Sequence, residues 1–234
     1  MGSISLMGTA SIMDFLQARL AMVESQIRPN GVRDPLILNA FATLPREVFV
    51  PEQQKALAYI DEPILAVPAS ESSPPRYLLP PMVLARLLQA AGVSVPDHAL
   101  DIGGATGYSA AVLAQICSKV DTLEVSEDLA GTMTRNLKAA NVENVQVNHG
   151  PLNQGLDALK PFDFILLNGS VAEEPKELSG QLAEGGRLVT IIRRGWLGQA
   201  YLFTKSSGAV SGRPIFDAAA EWLPGFEPKP EFVF

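Results

Sequence analysis

A chain of 234 residues, 47% of them hydrophobic, can bury one large core, or one core with a small appended region, and is not disordered as a whole. A net charge of −7 and a pI near 4.9 argue against a general nucleic-acid binder, because no cluster of Lys and Arg is present to neutralise phosphates. The single cysteine excludes an internal disulfide, the two histidines stand outside any Cys/His cluster, and no run reaches the roughly 18 apolar residues of a membrane span.

Residues Met1 to Met13 lack a basic n-region and a continuous apolar stretch, so they read as a poorly ordered lead-in rather than a signal peptide, and a cytoplasmic location is expected. Ile12, Phe15, Leu16, Leu20, Val23 and Ile27 recur at helical spacing and predict one apolar helix face, ended by Pro29, Asn30 and Gly31. Asp34-Pro35 supplies an N-cap and a proline at the first helical position of a second helix, which Pro45 closes. Phe49-Val50-Pro51 is an apolar connector to a brief helix through Leu57. From Ile60 to Pro81, prolines and serines predict an irregular loop, and a loop of that length is either disordered or functional.

Met82 to Ala91 is a helix with Val83, Leu84, Leu87 and Leu88 inward and Gly92 at its end. The apolar run Ala99-Leu100-Asp101-Ile102 then passes into Gly103-Gly104-Ala105-Thr106-Gly107. Glycines at the carboxyl end of a buried parallel strand let the backbone pass close to a ligand. A helix over Ser109 to Cys117 aims its free N–H groups at that turn, with Cys117 read as a core thiol. The next strand, Val120 to Glu124, ends in an acid about 20 positions past the turn, where a carboxylate accepts hydrogen bonds from ribose hydroxyls. Ala105 and Tyr108 replace two glycines of the dinucleotide G-x-G-x-x-G, which favours the loop of S-adenosylmethionine enzymes over that of NAD enzymes.

Ser126 caps a helix with Glu127 and Asp128 in its first turn. Strands follow at Asn144 to Val147 and Phe162 to Leu167, the second ended by Asn168-Gly169-Ser170. Pro175 to Leu182 reads as a helix leaving through Gly185-Gly186, followed by strands at Arg187 to Ile192, Tyr201 to Thr204 and near Phe216 to Trp222. Alternating strands and helices indicate an α/β fold with a doubly wound, mostly parallel sheet. Ligands in such sheets bind outside the carboxyl ends of the strands, where Gly103, Glu124, Gly150 and Asn168 fall.

From about Met22 to Phe226 the chain resembles the protein-L-isoaspartate O-methyltransferase family. The resemblance is carried by Met22-Val23-Glu24-Ser25-Gln26-Ile27, Arg33-Asp34-Pro35, Pro45-Arg46-Glu47-Val48-Phe49-Val50-Pro51 and Ala58-Tyr59-Ile60-Asp61. It continues through Gly107-Tyr108-Ser109-Ala110-Ala111, Pro161-Phe162-Asp163 and Gln181 to Val189. The resemblance implies a seven-stranded class I methyltransferase (Rossmann-like) sheet with a final antiparallel hairpin and a small N-terminal helical cap. The cap and the Pro/Ser-rich substrate loop would span residues 1–81, and the methyltransferase domain residues 82–234.

The implied activity is methyl transfer from S-adenosylmethionine to the free carboxylate of isoaspartyl residues in damaged proteins. Carried over by position, Asp101, Gly103, Gly104, Ala105 and Gly107 would hold the methionine part, with Glu124 and Val125 at the ribose, Gly150, Pro151 and Leu152 flanking adenine, and Asn168 closing the set. The family's G-Q-T-I-S-Q-P aligns with Pro74 to Pro80, which puts Arg76 and Leu78 where Thr and Ser stand in the family. Its G-D-G reads Gly150-Pro151-Leu152, and its V-T-A-A reads Leu167-Asn168-Gly169-Ser170.

A carboxylate is already ionised at neutral pH, so its methylation needs alignment and desolvation rather than a general base. Two candidates stand for orienting it. Arg76 pairs with a substrate carboxylate or is an exposed surface residue; Ser73, with Ser72, supplies the lost hydroxyls or only keeps the loop soluble. The expected partner is a protein or peptide carboxylate substrate, with no nucleic acid, membrane or metal. A degenerate homologue that binds the cofactor or a protein partner without catalysis is the alternative, and a nicotinamide dehydrogenase, opposed by Tyr108, is a third.

Overall fold

The structure is a computed structural model that describes residues 7–69 and 74–228. The lead-in is helical from Met7, where irregular chain was expected: α1 runs Met7–Met22 and continues into a π-turn, Val23–Ile27, before a 3-10 turn ending at Gly31. Met22, Val23 and Ile27 are buried and Phe15 is partly so, but Leu16 and Leu20 are 51% and 46% exposed, a correction to the predicted face. The inward stripe is Phe15, Ala18, Arg19 and Met22, one position round from the predicted one. Arg19 belongs to it because its guanidinium donates to Tyr59 Oη (2.9 Å), the Thr43 carbonyl (2.8 Å) and Glu47 (3.2 Å).

The second helix, α2 (Pro35–Thr43), starts as predicted, with the Asp34 side chain accepting from the Leu36 and Ile37 N–H groups. Asp34→Ala should cost about 1 kcal/mol, the usual worth of an N-cap. An unchanged urea midpoint would show the cap to be redundant with the proline at the first helical position.

The Pro-rich stretch is not wholly irregular: β1 (Ile64–Val67) and β2 (Arg76–Leu78) pair antiparallel, with Ile64 opposite Leu78. Their burial alternates, so Ile64 and Leu78 enter the core and the prolines are confined to the ends of the ribbon. Ser72 and Ser73 lie outside the described residues.

A seven-stranded sheet follows, built from β3 (His98–Ile102), β4 (Lys119–Glu124), β5 (Val145–His149), β6 (Phe162–Val171), β7 (Leu182–Arg194), β8 (Leu197–Ser206) and β9 (Ala209–Asp217). Its order is β5-β4-β3-β6-β7-β8-β9, parallel from β5 to β7 and antiparallel across β7-β8-β9. The strand order reverses between β3 and β6, which makes the carboxyl end of β3 the switch point.

Several boundaries differ from the sequence reading. β6 runs through Asn168-Gly169-Ser170, because the Ser170 N–H and carbonyl are bonded by the Glu221 carbonyl and Leu223 N–H of the C-terminal segment. Only one helical turn, α6 (Lys176–Ser179), forms after Pro175, and Gly185-Gly186 lies inside β7 rather than in a helix exit. The last strand is β9, ahead of the predicted Phe216 to Trp222, and Trp222 makes only an isolated bridge to Ser170.

Helices α3 (Pro81–Ala91), α4 (Tyr108–Ala114) and α5 (Glu127–Ala139) cover one face of the sheet, in a core continuous with Ile27, Ile37, Phe41 and Phe49 of the N-terminal region. Cys117, just past α4, is buried there, and burial pushes its thiol up to about 12. The other face, with Leu100, Ile102, Ile165 and Leu167, is closed by short pieces: Leu152, Leu178 of α6, and Leu223. No helix among the described residues is long and apolar enough to cross a membrane.

Candidate cofactor site

The turn after β3 is held from inside by Asp101. Its carboxylate is fully buried and accepts from Asn168 Nδ2 (2.7 Å), Ser109 Oγ (3.1 Å) and Thr122 Oγ1 (3.2 Å), so β3, β4, β6 and α4 converge on one group. A Cβ at position 104 would stand 2.2 Å from the Asp101 carboxylate, and this close approach requires glycine there. Burial raises Asp101 from 3.8 to about 6; the three hydrogen bonds oppose that rise, and Glu124 nearby adds to it. Gly103 and Gly107 take positive φ, and so does Ala105, at 52°, where the sequence offers no glycine.

The acid at the end of β4 is not free. Glu124 is fully buried, and Arg76, only 3% exposed, grips it with a two-pronged guanidinium: Nη1 donates to Oε2 and Nη2 to Oε1, each at 2.8 Å. The same Nη2 donates to the Gly103 carbonyl at 2.8 Å. The Ala105 and Val125 N–H groups donate to the remaining lone pairs at 2.7 and 3.0 Å. A carboxylate has about four acceptor sites, and all are used.

Both sequence readings of Arg76 are therefore corrected. It is neither a surface residue nor turned to an outside carboxylate, because β2 carries it inward onto the sheet. Sequence reasoning missed this pairing, since Arg76 and Glu124 are 48 positions apart.

Leu152 and Leu223 complete the enclosure. Leu223 Cδ2 and Leu152 Cδ1 lie 2.7 and 3.4 Å from where a Cβ on Gly103 would be, and Leu223 Cγ is 2.7 Å from that position on Gly169. Gly150 and Pro151 lead directly into the 3-10 turn Leu152–Gln154, which buries Leu152 against this cluster. The cavity beside Arg76, Asn168 and Leu223 measures about 20 Å³, room for about one water. Ligand pockets run to roughly 300 Å³ and more. Leu223 follows β9 on an irregular segment, and no local signal marks it as part of the site. Among the described residues, no group of three or more His, Cys, Asp or Glu is placed to hold a metal ion.

A mostly parallel sheet with a glycine turn at its switch point and a buried acid on the next strand defines a nucleoside-cofactor fold of the class I methyltransferase type. The family model described as protein-L-isoaspartate(D-aspartate) O-methyltransferase matches residues 18–217. Among relatives, the protein-L-isoaspartate O-methyltransferase of Koribacter versatilis is 35% identical over 203 residues, covering 87% of this chain and 89% of its own length. That of Roseiflexus castenholzii is 38% identical over 177 residues, 76% and 78% of the two chains.

A solved protein-L-isoaspartate O-methyltransferase superposes with a TM-score of 0.78 at 25% identity, over 90% of this chain and 66% of that longer one. A Plasmodium falciparum structure of the same description, in complex with S-adenosyl-L-homocysteine, shares the fold with a TM-score of 0.72 at 24% identity, over 87% and 96% of the two chains. The chain belongs to the protein-L-isoaspartate(D-aspartate) O-methyltransferase family.

The methyl donor of that family is S-adenosylmethionine. With Arg76 on Glu124 and Leu223 over Gly103, the residues as folded here do not fit it, because the carboxylate that would receive the ribose hydroxyls has no lone pair left for them.

Proposed function

We propose that the protein is a cytoplasmic carboxyl O-methyltransferase of protein repair, using S-adenosylmethionine and accepting a protein or peptide carboxylate, isoaspartyl in the first instance. The observation that carries this reading is the Asp101–Gly107 turn at the switch point with Glu124 on the adjoining strand end, in a chain that the family matches over residues 18–217. To cofactor binding we assign Asp101, Gly103, Gly104, Ala105, Gly107, Glu124, Val125, Gly150, Pro151, Leu152 and Asn168, a reading supported by the position of the turn and Glu124 at the carboxyl ends of β3 and β4. The acceptor carboxylate is ionised at neutral pH, so the chain's task is to orient it and exclude water rather than to remove a proton.

A tritiated-methyl transfer assay on an isoaspartyl peptide beside its aspartyl twin tests this. The expected result is label on the isoaspartyl peptide alone, at well below the roughly 1–10 per second of an ordinary enzyme, because Arg76 and Leu78 replace the family's hydroxyl residues. Equal labelling of the two peptides, or none of either, would sink the reading.

A further inference from the structure

We infer that Arg76 is an internal occupant of the cofactor's ribose site, so that S-adenosylmethionine binds this protein only by displacing the Arg76 guanidinium from Glu124. The inference rests on the proposed methyltransferase reading. Its basis is the set of four donors on Glu124, two of them from one guanidinium that also holds the Gly103 carbonyl. A ribose places two neighbouring hydroxyl donors on such a carboxylate, and the two prongs of Arg76 satisfy the same two oxygens. Both occupants cannot be present, since four acceptor sites carry four bonds already.

The contact is built rather than incidental. Arg76 is 3% exposed and Glu124 fully buried, β2 pairs with β1 at Ile64–Leu78 and Leu65–Tyr77 with a register shift before Val67, the residue opposite Arg76, and Leu78 beyond it is a core residue. Breaking the pair therefore means moving a buried arginine out of a packed site. The Arg76–Glu124 pair is charge-neutral, because the guanidinium compensates the carboxylate, and a neutral ribose does not. The cofactor must then meet both the loss of the ion pair and the opening of the space under Leu223. A protein whose competent form is populated at about ten percent or less binds its ligand about tenfold or more weaker than its open form does.

Calorimetric titration of the full chain with S-adenosylhomocysteine, for wild type, Arg76→Ala, Arg76→Gln and Arg76→Lys, tests this. Removing the fork should tighten binding by about tenfold or more in Arg76→Ala. Arg76→Lys should fall between, since an ammonium cannot make both contacts at once. If Arg76→Ala does not fold, because Glu124 is left buried without its partner, Arg76→Gln and Arg76→Lys decide. Binding in the folded variants that is no tighter than in wild type overturns the inference. So does a crystal structure of the wild type with the nucleoside seated and the Arg76–Glu124 pair intact.

The two readings fail separately. Tightened binding without methyl transfer leaves the inference standing and sinks the proposed activity. Methyl transfer by the wild type, with unchanged affinity in the variants, does the reverse.

Discussion

Replacing Arg46 by alanine is expected to destabilise the protein by about 3–5 kcal/mol, read as a lower urea midpoint at unchanged slope. Arg46 has no exposed surface. Its Nε donates to the Ala58 carbonyl at 2.8 Å and its Nη2 to the Leu79 carbonyl at 2.9 Å, while its Cζ lies 4.4 Å from the centre of the Tyr108 ring. Burial pulls its pKa below the usual arginine value, and Tyr108 opposes that.

One side chain thus joins the connector after α2, the turn before β1, the entry to α3 and the first residue of α4. Truncation leaves two buried carbonyls without donors, at about 1–3 kcal/mol each, and opens a cavity beneath Tyr108. Arg46→Met should cost clearly less, because it fills the volume and removes a buried charge while still losing the two carbonyl bonds. An alanine variant within about 1 kcal/mol of wild type would show that water enters and takes over the arginine's bonds.

The sheet was legible in the sequence wherever an element buried itself by its own pattern. Ala99 to Ile102 and Phe162 to Leu167 are short, mostly apolar runs, Val120 to Glu124 is readable from its place after the turn and its terminal acid, and each is a parallel strand. The Asp34 cap, the Ser126 cap and the Gly92 helix end depend on local chemistry and were readable for that reason. What escaped depends on distant partners.

Asn168-Gly169-Ser170 looks like a strand end until the segment at Glu221 to Leu223 arrives to satisfy its backbone. Likewise, β1 and β2 are short and flanked by proline, so their pairing shows only in the burial of Ile64 and Leu78. The site divides in the same way. The glycine turn and Glu124 follow from spacing along one βαβ unit. Arg76 and Leu223, which fill the space between them, come from chain outside that unit, one before it and one after the last strand.

Asp101→Asn should stabilise the protein at neutral pH and lose that advantage in acid. The carboxyl group titrates near 3.8 when unfolded and near 6 when folded, since burial disfavours its charged form more than Asn168, Ser109 and Thr122 favour it. A folded acid with a raised pKa holds its proton more tightly than the unfolded chain does. Its contribution is therefore most favourable below about pH 4 and is lost as pH rises through 6, leaving a cost of about 3 kcal/mol at pH 7.5. Asparagine carries no such charge and keeps the local bonding: its carbonyl oxygen accepts from Asn168, and its amide donates to the two hydroxyls, which rotate to receive it.

Urea unfolding of the two proteins at pH 7.5 and pH 4 isolates the effect, because other titrating groups are common to both. The variant should be about 2–3 kcal/mol ahead at the higher pH and about level at the lower. A difference independent of pH would mean that Asp101 has the same proton affinity folded and unfolded, and that the three hydrogen bonds fully offset its burial at the head of the glycine turn.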